Sequence, residues 1–159
     1  MIVYEPAVEL KLLRAARPRH RELARFLRQA IDATGLAGEV SVLLTGDATI
    51  RTLNRRYRHK DKATDVLSFP AAEMAEGVAG DLVISIETAL SQAGERGHTL
   101  EMEIKVLLLH GLLHLAGFDH ETDNGTMHRK EARLRRELGL NAGLIERAHG
   151  KLPRQVVRA

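Results

Sequence analysis

The 159-residue chain has no cysteine and no tryptophan, and its aromatic residues are few: two Tyr and three Phe. Without cysteine it has no disulfide, thiolate ligand or thiol nucleophile, so any metal site must consist of His, Asp, Glu and water. The scarcity of aromatic rings argues against a broad surface for stacking nucleobases. No apolar run reaches the roughly 18 residues of a membrane span, and the N-terminus lacks the pattern of an export signal. We therefore expect an unexported, cytoplasmic protein.

The chain is long enough for one domain with its own hydrophobic core. Strand-like and helix-like segments alternate along it, in the order helix 19–34, strand 39–44, helix 47–57, strand 64–70, strand 80–86, helix 87–96, helix 99–117 and helix 127–138. Helix 47–57 has Asp47 as its expected N-cap and Ile50, Leu53 and Tyr57 on its apolar side. This alternation predicts an α/β (α+β) layer fold.

Positive charge is concentrated in two segments, although the net charge is only +3. "RAARPRHRELARFLR" (14–28) contains six arginines, and "RTLNRRYRHKDK" (51–62) contains six basic residues. Such clusters suit a polyanion because each neutralised phosphate releases counterions. For the first cluster, a solvated helix face is the alternative interpretation.

"IKVLLLHGLLHLAG" (104–117) is apolar nearly all round, which predicts a buried central helix. His110 and His114 lie four residues apart on one face of this helix. If the helix ends at Gly117, the following loop would let His120 return as a third ligand. Hydrogen-bonded core histidines are the alternative, but burying several polar rings is costly unless something satisfies them. Three protein ligands leave one coordination position for water, as in catalytic zinc sites.

The histidine spacing matches that of zinc proteases, H-E-x-x-H-x-x-G-x-x-H, but Gly111 replaces the glutamate that acts as general base. A phosphodiester therefore becomes the better substrate, attacked by water or by a ribose 2′-OH. Negative charge then develops on phosphate oxygens, and a guanidinium is well suited to meet it. Arg58, at the end of helix 47–57, is our candidate for that role, and a solvated arginine at the helix end is the alternative interpretation. Asp119 would orient an imidazole or transfer a proton, or alternatively cap the next turn.

Together, these segments resemble the YbeY family of bacterial metal-dependent endoribonucleases and rRNA maturation factors. The resemblance rests on "LNRRYRHKDKATDVLSFP" (53–70), "GDLVIS" (80–85) and "HGLLHLAGFDH" (110–120), which follow in the family's order. It implies one α/β domain over residues 1–148, with a small mixed sheet, about five or six helices, and a central buried helix that carries the metal ligands. It also implies single-strand-specific RNA cleavage, 16S rRNA 3′-end maturation and ribosome quality control.

The sequence thus predicts three sets of site residues. The metal ligands are His110, His114 and His120, which would bind one Zn²⁺ together with water, although other divalent ions are possible. The catalytic residues are Arg58, His114 and Asp119. The RNA-binding residues are Arg51, Arg55, Arg58, Lys60 and Lys62.

The expected partners are single-stranded RNA or rRNA and the ribosomal small subunit or its proteins, with no membrane and no DNA. Two departures from the family pattern are visible: Ala63 stands where the family often has Pro, and residues 149–159 form a basic tail that we expect to be flexible. Two alternative functions remain, a metallopeptidase-like hydrolase and a non-catalytic ribosome-associated RNA-binding factor with a structural metal.

Overall fold

A computed structural model describes residues 1–8, 18–72, 76–119 and 124–140. The bounds of its strands and helices are β1 Ile2–Tyr4, α1 His20–Thr34, β2 Glu39–Thr45, α2 Asp47–Arg58, β3 Val66–Pro70, β4 Val78–Ser85, α3 Ile86–Arg96, α4 Leu100–Leu115 and α5 Thr126–Glu137. This confirms the predicted α/β layer fold. In the described part of the chain, no helix combines the length and apolarity needed to cross a membrane. The predicted tail, 149–159, lies outside the described residues.

The four strands form one mixed sheet in the order β1-β2-β4-β3. β1 and β4 run parallel to β2, whereas β3 runs antiparallel to β4 and pairs Ser68 with Leu82. Strand β3 begins two residues later than predicted, because Asp65 belongs to the preceding loop. There its carbonyl accepts a hydrogen bond from the Ser85 N–H at 2.9 Å.

The two faces of the sheet are covered by different helices. Val66 of β3 belongs to the large core that also contains α1, α4 and α5, while Leu67 packs in a smaller core with Ile50 and Leu53 of α2. Helix α4 contacts β3, β4 and three other helices. The prediction of a buried central helix is therefore confirmed, and that helix places His110 inside the fold and His114 at its edge.

Local capping determines where α4 begins. Thr99 is the N-cap, and its hydroxyl accepts a hydrogen bond from Met102 N at 3.1 Å. One turn further on, the carboxylate of Glu103 is fully buried, accepts a hydrogen bond from Arg96 Nη1 at 2.6 Å and contacts His98 Nε2. Because a buried carboxylate is costly without partners, these contacts tie the end of α3 to the first turn of α4.

Two predictions about α2 were wrong. Its N-cap is Gly46, and the carboxylate of Asp47 instead accepts a hydrogen bond from the Thr88 hydroxyl of α3 at 2.6 Å. Tyr57 is not buried with the apolar side of the helix but is 56% exposed. The last turn of α2 lies at the edge strand β3, where the ring of Phe69 contacts Tyr57 and solvent covers the rest.

Candidate metal centre

His110 and His114 lie together on α4, as their spacing predicts. Their Nε2 atoms are 3.0 Å apart, and their ring centroids are separated by 4.7 Å. His110 is buried, whereas His114 is partly exposed. The pair therefore presents two ring nitrogens at one point on the edge of the core.

Glu131 of α5 fixes the orientation of the inner imidazole. Its Oε1 lies 2.9 Å from Nδ1 of His110, and both side chains are buried. A carboxylate accepts hydrogen bonds, so Nδ1 carries the proton, and the lone pair of neutral His110 is on Nε2. Histidines that bind metals commonly donate their other ring N–H to a carboxylate in this way.

The arrangement fits a metal ion. Two nitrogens bound to one tetrahedral zinc ion at its usual bond length lie about 3.3 Å apart, close to the 3.0 Å between the two Nε2 atoms. The third predicted ligand, His120, lies outside the described residues, and within them no group of three His, Asp or Glu side chains is placed to hold a metal. The assignment of His120 therefore stays a prediction.

Glu131 was missed by the sequence analysis, although a signal was present. Met127 and Leu134, the buried apolar residues of α5, lie four positions before and three positions after it, so Glu131 shares their face of the helix. A carboxylate on the inward face of a helix requires a partner. Here that partner is a predicted metal ligand, His110.

Gly111 has a steric role that the comparison with proteases did not reveal. A Cβ atom at this position would lie 2.8 Å from Leu82 Cδ2 and 3.3 Å from the hydroxyl of Ser68. Helix α4 thus lies close against β3 and β4 at the residue next to His110. Any side chain at position 111 would thus meet Leu82 and Ser68, so this position faces the sheet and glycine permits the close packing.

Arg58 is connected to this helix through Ser68. Its Nη2 donates a hydrogen bond to the Ser68 carbonyl at 2.7 Å, and the Ser68 hydroxyl donates to the Gly111 carbonyl at 3.2 Å. The Nε atom of Arg58 is buried, and in the described part of the chain it has no hydrogen-bond partner. The guanidinium is therefore held at the edge strand β3 by Nη2, while its Nε–H donor makes no hydrogen bond with any described residue.

Comparison with known proteins identifies the family. The family model described as Endoribonuclease YbeY matches residues 12–139. The chain belongs to the YbeY family. The Endoribonuclease YbeY of Koribacter versatilis is 52% identical over 127 residues, which cover 80% of this chain and 82% of that protein. The chloroplastic Endoribonuclease YBEY of Arabidopsis thaliana is 48% identical over 138 residues, covering 79% of this chain and 24% of that longer protein.

A solved structure shows the same fold. The solution structure of TM1509 from Thermotoga maritima aligns with a TM-score of 0.57 at 29% identity, covering 96% of this chain and all of that one. The single small domain with one mixed sheet is thus shared with a protein of known structure.

Asn54 and His59, both in the YbeY-type segment 53–70, hold the loop after α2 in place. Buried Asn54 donates from Nδ2 to the Lys62 carbonyl at 2.9 Å, and its main-chain carbonyl accepts from the Lys60 N–H at 3.3 Å. His59 ends the helix in a left-handed conformation, with φ of 59°. These contacts fix the backbone on both sides of Arg58.

The other predicted RNA-binding residues all lie on the surface. Arg55, Lys60 and Lys62 are exposed. Arg51 is also exposed, but its Nε donates to Asp61 Oδ1 at 2.9 Å. This hydrogen bond lowers the pKa of Asp61 and raises that of Arg51. Arg51 is thus already paired with a carboxylate, although its place in the basic cluster suggested a side chain available to RNA.

Asp119 lies on the surface, two residues after the turn 116–117 that ends α4. In that turn Gly117 adopts φ of 95°, a conformation that glycine accepts readily. The role predicted for Asp119, beside the ligand His120, stays a prediction because His120 is not among the described residues.

Proposed function

We propose that this protein is a single-strand-specific endoribonuclease that uses one zinc ion held by His110, His114 and His120. The observation that carries the metal centre is the pair of Nε2 atoms 3.0 Å apart, with His110 Nδ1 donating to buried Glu131. Relatives that are 50–52% identical over about four fifths of this chain bear the name Endoribonuclease YbeY. RNA is accordingly the substrate.

Each side chain has a defined part in this proposal. When bound, the metal supplies a Lewis acid that polarises a phosphoryl oxygen and lowers the pKa of water. Glu131 keeps His110 in the tautomer that leaves Nε2 able to bind. The donors of Arg58 that Ser68 does not occupy stabilise the negative charge on the scissile phosphate. Asp119 orients an imidazole or moves a proton.

The proposed biological role is maturation of the 3′ end of 16S rRNA and ribosome quality control in the cytoplasm. The partners would be the small ribosomal subunit or its proteins, with no part for DNA or membranes. The exposed basic residues after α2 support an extended polyanion as ligand. A peptidase reaction is disfavoured because Gly111 stands in place of the glutamate that acts as general base, and position 111 packs against Leu82 of the sheet.

The test compares wild type with His114→Ala and Arg58→Ala on three substrates: single-stranded RNA, duplex RNA and an unstructured protein. Matched controls are His128→Ala and Arg133→Ala, which replace exposed residues of α5. Bound metal is measured for every preparation. We expect rapid cleavage of single-stranded RNA only, lost in His114→Ala and reduced by about 10²- to 10³-fold in Arg58→Ala.

Three outcomes contradict the proposal. RNA cleavage that survives both substitutions would indicate a contaminating nuclease. Cleavage of the unstructured protein would indicate a peptidase. RNA binding without turnover in the metal-loaded wild type would indicate a non-catalytic factor with a structural metal.

A further inference from the structure

An aromatic pair lies on the surface at the edge of the sheet. The ring centroids of Tyr57 and Phe69 are 5.5 Å apart in an edge-to-face arrangement, and the guanidinium of Arg56 lies 5.4 Å from the Tyr57 ring centroid. Tyr57 is nevertheless 56% exposed. Leaving this much of an aromatic ring in water sets Tyr57 apart from Phe26, which is buried in the core.

This pair directly adjoins the proposed catalytic arginine. Tyr57 contacts Phe69, and the next residue of the helix, Arg58, donates to the carbonyl of Ser68, the preceding residue of the strand. Two adjacent helix residues therefore meet two adjacent residues of β3. The aromatic surface and the phosphate-binding donors occupy neighbouring positions on one sheet edge.

We propose that Tyr57, supported by Phe69, stacks on one unpaired nucleobase of the RNA substrate, next to the phosphate that Arg58 contacts. A ring beside guanidinium groups matches the two chemical parts of a nucleotide, an aromatic base and an anionic phosphate. The inference rests on the proposed function and adds to it a subsite for the base.

A subsite of this kind explains single-strand selectivity. A base within a duplex already stacks on its neighbours and is held by its pairing partner, so it must be unstacked before it can reach Tyr57. An unpaired base reaches the ring without that cost. Because the other tyrosine, Tyr4, lies on β1 at the opposite edge of the sheet, the surface serves one base and is not a broad platform.

The test measures binding to metal-loaded protein of a single-stranded RNA protected from cleavage by 2′-O-methyl and phosphorothioate groups. A matched series lacks one base at a time, with the backbone intact. Wild type is compared with Tyr57→Leu and Tyr57→Phe. The control is Leu90→Ala, which alters another exposed apolar side chain on α3.

We expect Tyr57→Leu to bind the complete RNA about 5- to 150-fold more weakly, and Tyr57→Phe and Leu90→Ala to bind like wild type. Removing the base at one position should weaken wild type by a similar factor and leave Tyr57→Leu unchanged. Equal affinities of Tyr57→Leu and wild type, or equal losses for every missing base in both proteins, would overturn the stacking site. If cleavage of RNA remained intact in that case, the proposed function would stand. A wild type that neither binds nor cleaves single-stranded RNA would instead overturn both.

Discussion

The carboxylate of Glu131 lies 2.9 Å from Nδ1 of His110 and reaches it from a different helix. The proposed metal ligand is therefore oriented by the packing of α5 on α4, and α5 does more than cover the core. The same carboxylate lies 3.6 Å from Nη2 of Arg135, one turn further along α5. A mutation on α5 can thus alter a site that lies on α4.

Replacing Glu131 with alanine should weaken zinc binding about 10- to 100-fold, because the tautomer of His110 is no longer fixed. Glu131→Gln should lose less zinc affinity, since the amide oxygen of the glutamine can still accept a hydrogen bond from His110 Nδ1. The control is Glu137→Ala, an exposed carboxylate of the same helix. Zinc affinity is measured by competition with a chelator, and an affinity unchanged in Glu131→Ala would refute the role.

Zinc should stabilise the folded protein through His110 and His114. A ligand that binds only the folded state at 100 times its Kd adds about 2.7 kcal/mol to the free energy of unfolding. We expect that gain for wild type and for His128→Ala, whose side chain is exposed, and little of it for His114→Ala. Denaturant unfolding with and without zinc measures the gain, and an equal gain in all three proteins would exclude this site.

Alanine at position 111 should destabilise the protein, while alanine at position 94 should stabilise it. Both glycines lie within helices, but an added Cβ at Gly111 meets Leu82, whereas at Gly94 it meets nothing within 4 Å. Alanine gains roughly 1 kcal/mol in helix propensity, and overpacking costs about 1–3 kcal/mol. The two variants should therefore differ by about 1–3 kcal/mol in urea unfolding. Equal stabilities would mean that α4 has room to move away from the sheet.

The Arg51–Asp61 pair should reduce the contribution of Arg51 to RNA binding. For each variant, the RNA-binding constant is plotted against salt concentration on logarithmic axes. Arg55→Ala should make this slope less steep by about 0.7 per lost phosphate contact. Arg51→Ala should change the slope by less. Asp61→Asn should raise RNA affinity by releasing Arg51. Binding isotherms at several salt concentrations test this, and equal slopes for the two arginine variants would contradict it.

The same pair predicts the direction of a pH effect. The pKa of Asp61 is lower in the folded protein than its ordinary value, because Arg51 donates a hydrogen bond to it. Its contribution to stability is therefore present above the unfolded pKa, about 3.9, and is lost as the pH falls through the lower folded value. The effect should be small because both groups are exposed. Asp61→Asn should remove this part of the acid dependence in thermal unfolding, and an unchanged profile would disprove it.

The helices and strands could be predicted because their signals are local. Thr99 caps α4, and the four-residue spacing of His110 and His114 places both rings on one face of any helix. The strand-like segments 39–44, 64–70 and 80–86 likewise correspond to three of the four strands, whereas β1 was not predicted and the mixed sheet was implied by the resemblance to the YbeY family. Such features depend on residues only a few positions apart, so the sequence by itself determined the fold class, the central helix and the paired histidines.

Only the tertiary structure decided how distant segments meet. The contact of Glu131 with His110 spans 21 residues, and that of the Ser68 hydroxyl with Gly111 spans 43. The exposure of Tyr57 depended on which part of the sheet lies beneath the last turn of α2. Periodicity gives the direction of a side chain around its own helix, but not the element that it meets. Packing of α5 on α4 set the orientation of His110, and packing of α4 on the sheet set the close contact at Gly111. The hydrogen bond to the Ser68 carbonyl set the position of Arg58.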